Sequence, residues 1–260
     1  MPELPEVERA AQQVTRAALG KTIAAVRAIH PSLKKKLKPH HARAVKGRRI
    51  VGIERRGKHQ LLSLDSGDTL VVHFRMNGDW EIGTTADELD RFARAVIELT
   101  DGTRVSLVDR RALSSITLDK KGVSSLPKLG LEASDPSLNA AHLAEVLRKK
   151  KIAIKPAIMD QAVLAGLGNI YAAEALWEAM IDPRLPAAKA TKQQLEKLVD
   201  AIRLVLSPQK DLPGRYTDRR GASRFAVYDR EGKECRRCGT TIERIVQGGR
   251  STYFCPHCQR

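Results

Sequence analysis

The chain has 260 residues, 42% of them hydrophobic, and carries 46 Lys and Arg against 30 Asp and Glu, a net charge of +16 with a pI near 10.0. That length suits two domains and a small appendage around real cores, and no stretch has the length and apolarity of a membrane span. The start lacks the basic-then-apolar pattern of a secretory leader, so an intracellular protein is expected, and the basic excess points to a polyanionic partner, nucleic acid first.

The chain opens Met1-Pro2-Glu3-Leu4-Pro5-Glu6-Val7-Glu8. Removal of Met1 would give Pro2 a free secondary amine, a nucleophile for an electrophilic carbon, and the carboxyl of Glu3 stands one residue away to move protons. Pro5 suits the first turn of a helix, and acids there suit its dipole. Leu4, Val7, Ala10, Ala11, Val14, Ala17, Ala18 and Leu19 keep helical spacing until Gly20. From Thr22 to about Leu118 the pattern changes to alternation and β-branched runs. It predicts strands over Ile23–Arg27, Ile50–Arg56, Gln60–Leu64, Thr69–Phe74, Ala95–Thr100 and Arg104–Val108. Ser66-Gly67 and Asp101-Gly102 mark hairpin turns.

Residues 119–136 are loop-like. Asn139 precedes a helix over Ala140–Lys150, and Gln161–Ala179 reads as a helix interrupted by Gly166-Leu167-Gly168. Thr191 caps a helix over Lys192–Leu206. Gly166-Leu167-Gly168 lacks the Lys-Ser/Thr of a P-loop; its expected use is a tight turn that aims N–H groups and Asn169 at a phosphate. The fold class expected is α+β multidomain: an N-terminal helix with an antiparallel β-sandwich over 1–130, a helical domain over 131–222 and a zinc hairpin over 223–260.

All four cysteines lie in the last 26 residues, as Cys235-Arg-Arg-Cys238 and Cys255-Pro-His-Cys258. Two such knuckles place four thiolates around one tetrahedral Zn²⁺ and leave no open position, so the ion is expected to be structural. Thr241–Val246 and Thr252–Phe254 read as the strands of a ribbon turned by Gly248-Gly249, with His257 on the surface. Arg250 beside that turn is placed either to grip a phosphate or to stand as an ordinary exposed turn residue. Lys34-Lys35-Lys36, taken alone, reads as a solvated face.

Several motifs in one order now stand together: Pro-Glu-Leu-Pro-Glu-Val-Glu at the start, Gly57-Lys58-His59, Met76 after a strand, Lys155-Pro156 through Met159-Asp160-Gln161, Gly166 through Ala172, and Gly249-Arg250 through Gln259. Across nearly the whole chain they resemble the formamidopyrimidine-DNA glycosylase / endonuclease VIII family, and Leu4 and His59 lean toward the formamidopyrimidine branch. The resemblance implies a helix–two-turn–helix element in the middle domain and a bifunctional DNA glycosylase and abasic-site lyase of base excision repair. Such an enzyme removes oxidised bases, purines by preference, from double-stranded DNA through a Schiff base on Pro2 and β,δ-elimination. It further implies Glu3 as general acid, Lys58 and Arg250 at phosphates and in elimination, Met76 as the wedge that fills the gap left by the flipped nucleotide, and Lys155 and Asn169 near the lesion phosphate. Lys150, Arg111 and Leu113 would meet the backbone or the opposite base, and Glu6 would stand near the site. A monomer acting on chromosomal DNA in a bacterial-type cytoplasm is expected. Flipping is required because a stacked base is out of reach, and apolar wedges commonly fill the gap.

Four positions depart from the family pattern. Leu113 in Asp109-Arg110-Arg111-Ala112-Leu113 replaces an aromatic ring, Arg91-Phe92-Ala93-Arg94 stands where a His-rich DNA contact is expected, the loop over Asp218–Phe225 reads short, and Asp229 replaces a glycine. These bear on base preference, with oxidised pyrimidines or bare abasic sites as the alternative substrates, and leave the sugar chemistry intact. A reading from another class is a non-catalytic zinc-ribbon binder of damaged DNA; it has no use for Pro2-Glu3.

Overall fold

A computed structural model describes residues 2–207 and 224–260. Its contacts divide the chain into two compact units, Met1–Pro127 and Lys128–Arg260. The foreseen short loop over Asp218–Phe225 lies mostly outside the described residues.

In the first unit, α1 (Leu4–Ala18) turns its Leu4, Val7, Ala10, Ala11, Val14 and Ala18 inward, the one-faced pattern its spacing predicts. Two antiparallel sheets follow. One has the order β1-β6-β7-β5, built from Ile23–Ala28, Ala93–Leu99, Thr103–Val108 and Asp79–Thr84; the other has the order β2-β3-β4-β8, built from Ile50–Arg56, His59–Leu64, Thr69–His73 and Ser115–Asp119. Val14, Ile23, Leu62, Val72, Trp80, Ile97, Leu107 and Ile116 form their common core. One buried polar contact lies inside it: Trp80 Nε1 donates to Gln60 Oε1 at 2.7 Å.

The strand expectations hold to within two residues at each end. Two strands and two short helices were not foreseen. β5 reads Asp-Trp-Glu-Ile-Gly-Thr, poor in strand formers, and exists through its pairing with β7. β8 is short, with only Ile116 and Leu118 to mark it. The helices α2 (Pro31–Lys34) and α3 (Pro39–Val45) each begin on a proline and bridge β1 to β2.

In the second unit, α4 (Ala140–Leu147) follows Asn139, whose side chain caps it, and ends three residues before the expected Lys150; α7 (Lys192–Leu206) starts at the expected Thr191 cap, completed by Gln194 as a capping box. The interrupted helix over Gln161–Ala179 is corrected. A helix not foreseen, α5 (Ile154–Met159), comes first; residues 161–168 are non-helical, and Leu164–Ala165 (β10) pairs in parallel with Leu131–Glu132 (β9). Helix α6 spans Asn169–Glu178. The pattern hid α5 because Pro156 reads as a breaker, yet it occupies the first turn, where a backbone N–H has no intrahelical partner to lose. Strands β11 (Glu243–Gln247) and β12 (Arg250–Phe254) form the terminal hairpin. Ala173 of α6, Val227, Ile242, Cys235 and Cys255 make a small core beneath it.

Candidate active site and zinc ribbon

In the first unit, Pro2 is buried directly before α1, and Glu3 is its N-cap at 1% exposure. The carboxylate of Glu6, one turn along, accepts the Glu3 backbone N–H at 2.9 Å. The residues that suited a helix start therefore also fix the main chain that carries Pro2 and Glu3. Glu8 on the same helix takes the Arg55 Nε–H at 2.7 Å, and Arg55 also donates to the Gly57 carbonyl at 3.0 Å. This chain of contacts joins α1 to the β2–β3 turn, where Lys58 sits. Gly57 takes φ 58° at the first turn position, as a two-residue hairpin of this kind asks, and Lys58 is held buried rather than free in solvent.

Two strands over, a second turn reads Phe74-Arg75-Met76-Asn77-Gly78. Gly78 N–H closes it on the Phe74 carbonyl at 3.0 Å, and a Cβ at Gly78 would stand 2.8 Å from Phe74 backbone atoms, so only glycine fits. Met76 is 38% exposed at the tip. His73 precedes the turn and pairs with His59 across the strands, their rings 4.6 Å apart. Burial, and then the charges of His59, Arg75 and Lys58, pull the His73 imidazole down to about 3. Its Nδ1 accepts the Arg75 N–H at 2.8 Å, which leaves Nε2–H as a neutral donor in the neighbourhood of Lys58. The sequence reading missed this histidine because a lone His in a strand has no motif of its own.

Arg111 and Leu113 lie on one loop, both exposed, Leu113 by 44%. Buried Asp109 organises it: Oδ1 accepts from Arg111 N at 2.9 Å, and Oδ2 from Leu113 N at 2.7 Å and Ser114 N at 2.8 Å. Arg94 Nε donates to the Asp109 carbonyl at 2.6 Å, so Arg94 is engaged in the loop's structure. The Phe92 ring lies under three guanidiniums, those of Arg91 at 4.6 Å, Arg110 at 5.3 Å and Arg94 at 5.8 Å. The aromatic residue that departs from the family pattern thus gathers cations.

In the second unit, Lys155 on α5 is 1% exposed and its ammonium is fully engaged. Nζ donates to Asn169 Oδ1 at 2.5 Å, to Thr252 Oγ1 at 2.7 Å and to the Ser251 carbonyl at 3.1 Å. Asn169 Nδ2 donates to the same Ser251 carbonyl at 3.0 Å. One buried cation therefore ties α5 to the start of α6 and to β12. Gln161 shapes the turn before α6: its Oε1 takes the Gly166 N–H at 3.0 Å, and its Nε2 donates to Met159 O and Leu167 O at 2.9 and 2.8 Å. Gly166 sits at φ 91°, the conformation the Gly-Leu-Gly element was expected to supply. Lys150 is paired with Asp160 at 2.8 Å. A cavity of about 190 Å³ is lined by Lys155, Pro156, Asp160, Gln247, Gly248 and Arg250. Arg250 pairs with Gln247 beside a turn whose two glycines both have positive φ, and it is exposed.

Below that hairpin the Sγ atoms of Cys235, Cys238, Cys255 and Cys258 all lie within 4.8 Å of one another. Cys235 and Cys258 are 4.0 Å apart and Cys238 and Cys255 3.5 Å. A tetrahedron of thiolates at zinc distance has edges of about 3.8 Å, so the set fits one structural Zn²⁺. His257 is exposed and outside the cluster. Asp229, where the family pattern has glycine, adopts φ 59°. That is left-handed backbone, which explains a glycine preference and which Asp tolerates better than most residues. Another buried carboxylate, Glu174 of α6, accepts the N–H groups of Ala226, Val227 and Tyr228 at 2.7–2.9 Å and anchors the segment leading into the ribbon.

A β-sandwich with a buried acid beside Pro2, a helical unit with a glycine turn leading into α6, and a four-cysteine hairpin are together the parts of a zinc-ribbon DNA glycosylase. Residues 1–116 match the formamidopyrimidine-DNA glycosylase N-terminal domain, 129–211 the formamidopyrimidine-DNA glycosylase H2TH domain, and 232–260 the zinc finger found in FPG and IleRS. The formamidopyrimidine-DNA glycosylase of Chloroflexus aggregans is 41% identical over 271 residues, covering 100% of this chain and 98% of the relative; that of Herpetosiphon aurantiacus is 38% identical, covering 100% of both. Among solved structures, MutM in complex with DNA containing carbocyclic 8-oxo-G superposes with a TM-score of 0.89 at 29% identity, covering 100% of both chains. Lactococcus lactis FPG (MutM) with Fapy-dG-containing DNA gives 0.88 at 28%, covering 99% of this chain and 100% of the other. The chain belongs to the formamidopyrimidine-DNA glycosylase family.

Proposed function

We propose that Pro2 is the nucleophile of a glycosylase that excises oxidised purines from duplex DNA and then cleaves the abasic strand. Family membership makes the chain a DNA glycosylase with abasic-site lyase activity; the assignments to individual residues are inferences. The observation that carries them is Glu3, an acid kept buried at the helix cap by Glu6 and adjacent to Pro2. With a free N-terminus, Pro2 N attacks C1′ and the glycosidic bond breaks, so the base leaves with a proton. Glu3 protonates the ring oxygen, the sugar opens, and an iminium to Pro2 forms. Loss of the 2′ proton then expels the 3′ phosphate, and a second elimination the 5′ phosphate.

The other assigned residues act around this step. Lys58 and the neutral Nε2–H of His73 are offered to backbone phosphate. Met76 enters the vacated stack, while Arg111 and Leu113 meet the partner base. Asn169 and Arg250 take the lesion phosphate, and Lys155 holds the Asn169 amide in place. Lys150, paired with Asp160, presents its charge to the backbone at the edge of this group. The Zn²⁺ is structural: it holds the hairpin that presents Arg250.

Borohydride trapping tests this reading. The protein is expected to form a covalent adduct with abasic duplex that disappears on N-terminal acetylation and in Pro2→Gly is replaced by a weak primary-amine adduct. An adduct that survives acetylation, or an intact mass showing Met1 retained in the active protein, would refute the assignment to Pro2.

A further inference from the structure

Half of the chain's excess charge lies in one segment that the catalytic reading does not use. Residues 31–49 contain Lys34, Lys35, Lys36, Lys38, Arg43, Lys46, Arg48 and Arg49 and no Asp or Glu, against +16 for all 260 residues. All eight side chains are exposed, and among the described residues none of them forms an ion pair.

The segment is also built rather than loose. It leaves β1 where the N–H groups of Ile29 and His30 bond the Arg94 carbonyl. It returns where Gly47 N–H bonds the Ile23 carbonyl and Ile23 N–H bonds the Arg48 carbonyl. It therefore runs the length of β1, an edge strand of its sheet. His30 caps α2 through its ring nitrogen, Pro39 starts α3, and buried Leu33, Leu37 and Val45 pin both helices to the core. Loss of hydration and then the nearby His41, Lys38, Arg43 and Lys120 hold the His40 imidazole below its usual value, and no acid contributes there.

The simplest account is a solvated face, with Lys34 at the end of α2 favoured by the helix dipole. A four-residue helix accounts for one or two such charges and not for eight unbalanced ones, whose mutual repulsion works against folding. We propose that residues 31–49 form an auxiliary rail for the phosphate backbone of duplex DNA, separate from the residues that grip the lesion. The inference rests on the glycosylase reading only for its choice of DNA among polyanions. Its role would be sequence-independent affinity for undamaged duplex, the state in which a repair enzyme scans. At one end the rail begins at Arg94, whose guanidinium holds the loop of Arg111 and Leu113, so a duplex continuing past that loop meets it first at Lys34–Lys36.

The test compares the full-length wild type with a variant carrying Lys34→Gln, Lys35→Gln, Lys36→Gln and Lys38→Gln. Binding to an undamaged 40-bp duplex is measured at several salt concentrations. Each lost phosphate contact should reduce the slope of log K against log salt by about 0.9, so a fall of about two to four is expected. The single-turnover excision rate on a lesion duplex at saturating enzyme should stay within about twofold, because lost backbone contacts weaken binding without touching the chemistry. An unchanged slope overturns the proposal, as does an equal loss of saturated excision. A matching variant of Arg43, Lys46, Arg48 and Arg49 to Gln serves if the first does not fold. Loss of binding to phosphatidylglycerol vesicles with the DNA slope intact would assign the rail to a membrane surface instead. If the slope falls while the wild type excises no base from any duplex, the glycosylase reading fails and the rail stands.

Discussion

The two units hold their functional groups by different means. In Met1–Pro127 the groups sit on turns of a closed sandwich, and the polar atoms beneath them are satisfied largely by main chain: Glu6 by the Glu3 N–H, Asp109 by three N–H groups, His73 by the Arg75 N–H. The apolar core of two four-stranded sheets supports these turns without help. In Lys128–Arg260 the corresponding place is taken by cross-links. Lys155 joins parts of the chain 96 and 97 residues apart, and four sulfurs gather around one metal. The ribbon has little core of its own. On the proposed assignment, chemistry at the sugar is thus mounted on a self-sufficient scaffold, while the residues assigned to phosphate depend on a metal and on one buried ammonium.

Zinc removal should separate the two most sharply. Metal binding by small zinc modules is worth about 10–16 kcal/mol of folding free energy, so a chelator should unfold the hairpin and release Arg250 and the partners of Lys155. Hydrogen exchange with and without chelator is the measurement. Amides of β11, β12 and the start of α6 should lose protection while those of β2, β3, β4 and β7 keep theirs. Equal loss in both units would break the comparison, and protection retained in the hairpin would show that the metal is not its staple.

A smaller effect should act on the first unit alone. The His73 imidazole is held at about 3 in the fold, against 6.5 when unfolded. Its contribution is fully present above pH 6.5 and is lost progressively as pH falls from there toward 3, because the unfolded chain takes up the proton first. The limiting slope is about 1.4 kcal/mol per pH unit, and His59, lowered chiefly by burial, adds in the same direction. Urea midpoints of the first unit's transition between pH 7.5 and 5 should fall in the wild type and flatten in His73→Asn. The same flattening in the second unit's transition would contradict the assignment.

Much of this organisation is legible in sequence wherever a signal is local. The Thr191 cap, the two cysteine knuckles, Gly248-Gly249 and the strand Ile50–Arg56 all lie where the pattern put them. The residues that position the site were harder to see. Asp109 gave only its place in a motif, yet Asp before a run of turn residues is a recognised signal for side-chain bonds to N–H groups ahead, and it would have identified the hub. Gln161 and His73 act through partners set by the fold, and no spacing rule reaches those. The resemblance places Lys155 near the lesion phosphate, while its three bonds make it the brace that holds Asn169. β5 escaped because its residues disfavour a strand and its partner β7 overrides them.

The smallest expected effect concerns the loop that departs from the family pattern. Leu113 is exposed and its backbone is set by Asp109, so its side chain can change without altering the loop. An aliphatic group has no π-face to offer the partner base, whereas base–aromatic stacking is worth about 1–3 kcal/mol. Leu113→Phe should therefore tighten binding to a lesion duplex by about 1 kcal/mol, roughly fivefold, as measured by titration at fixed salt. Trapping on single-stranded abasic DNA, which has no partner base, should be unaffected. A gain on both substrates would mean that the ring meets something other than the orphaned base. No gain on either would mean that the first unit fills the gap with Met76 and Arg111 alone.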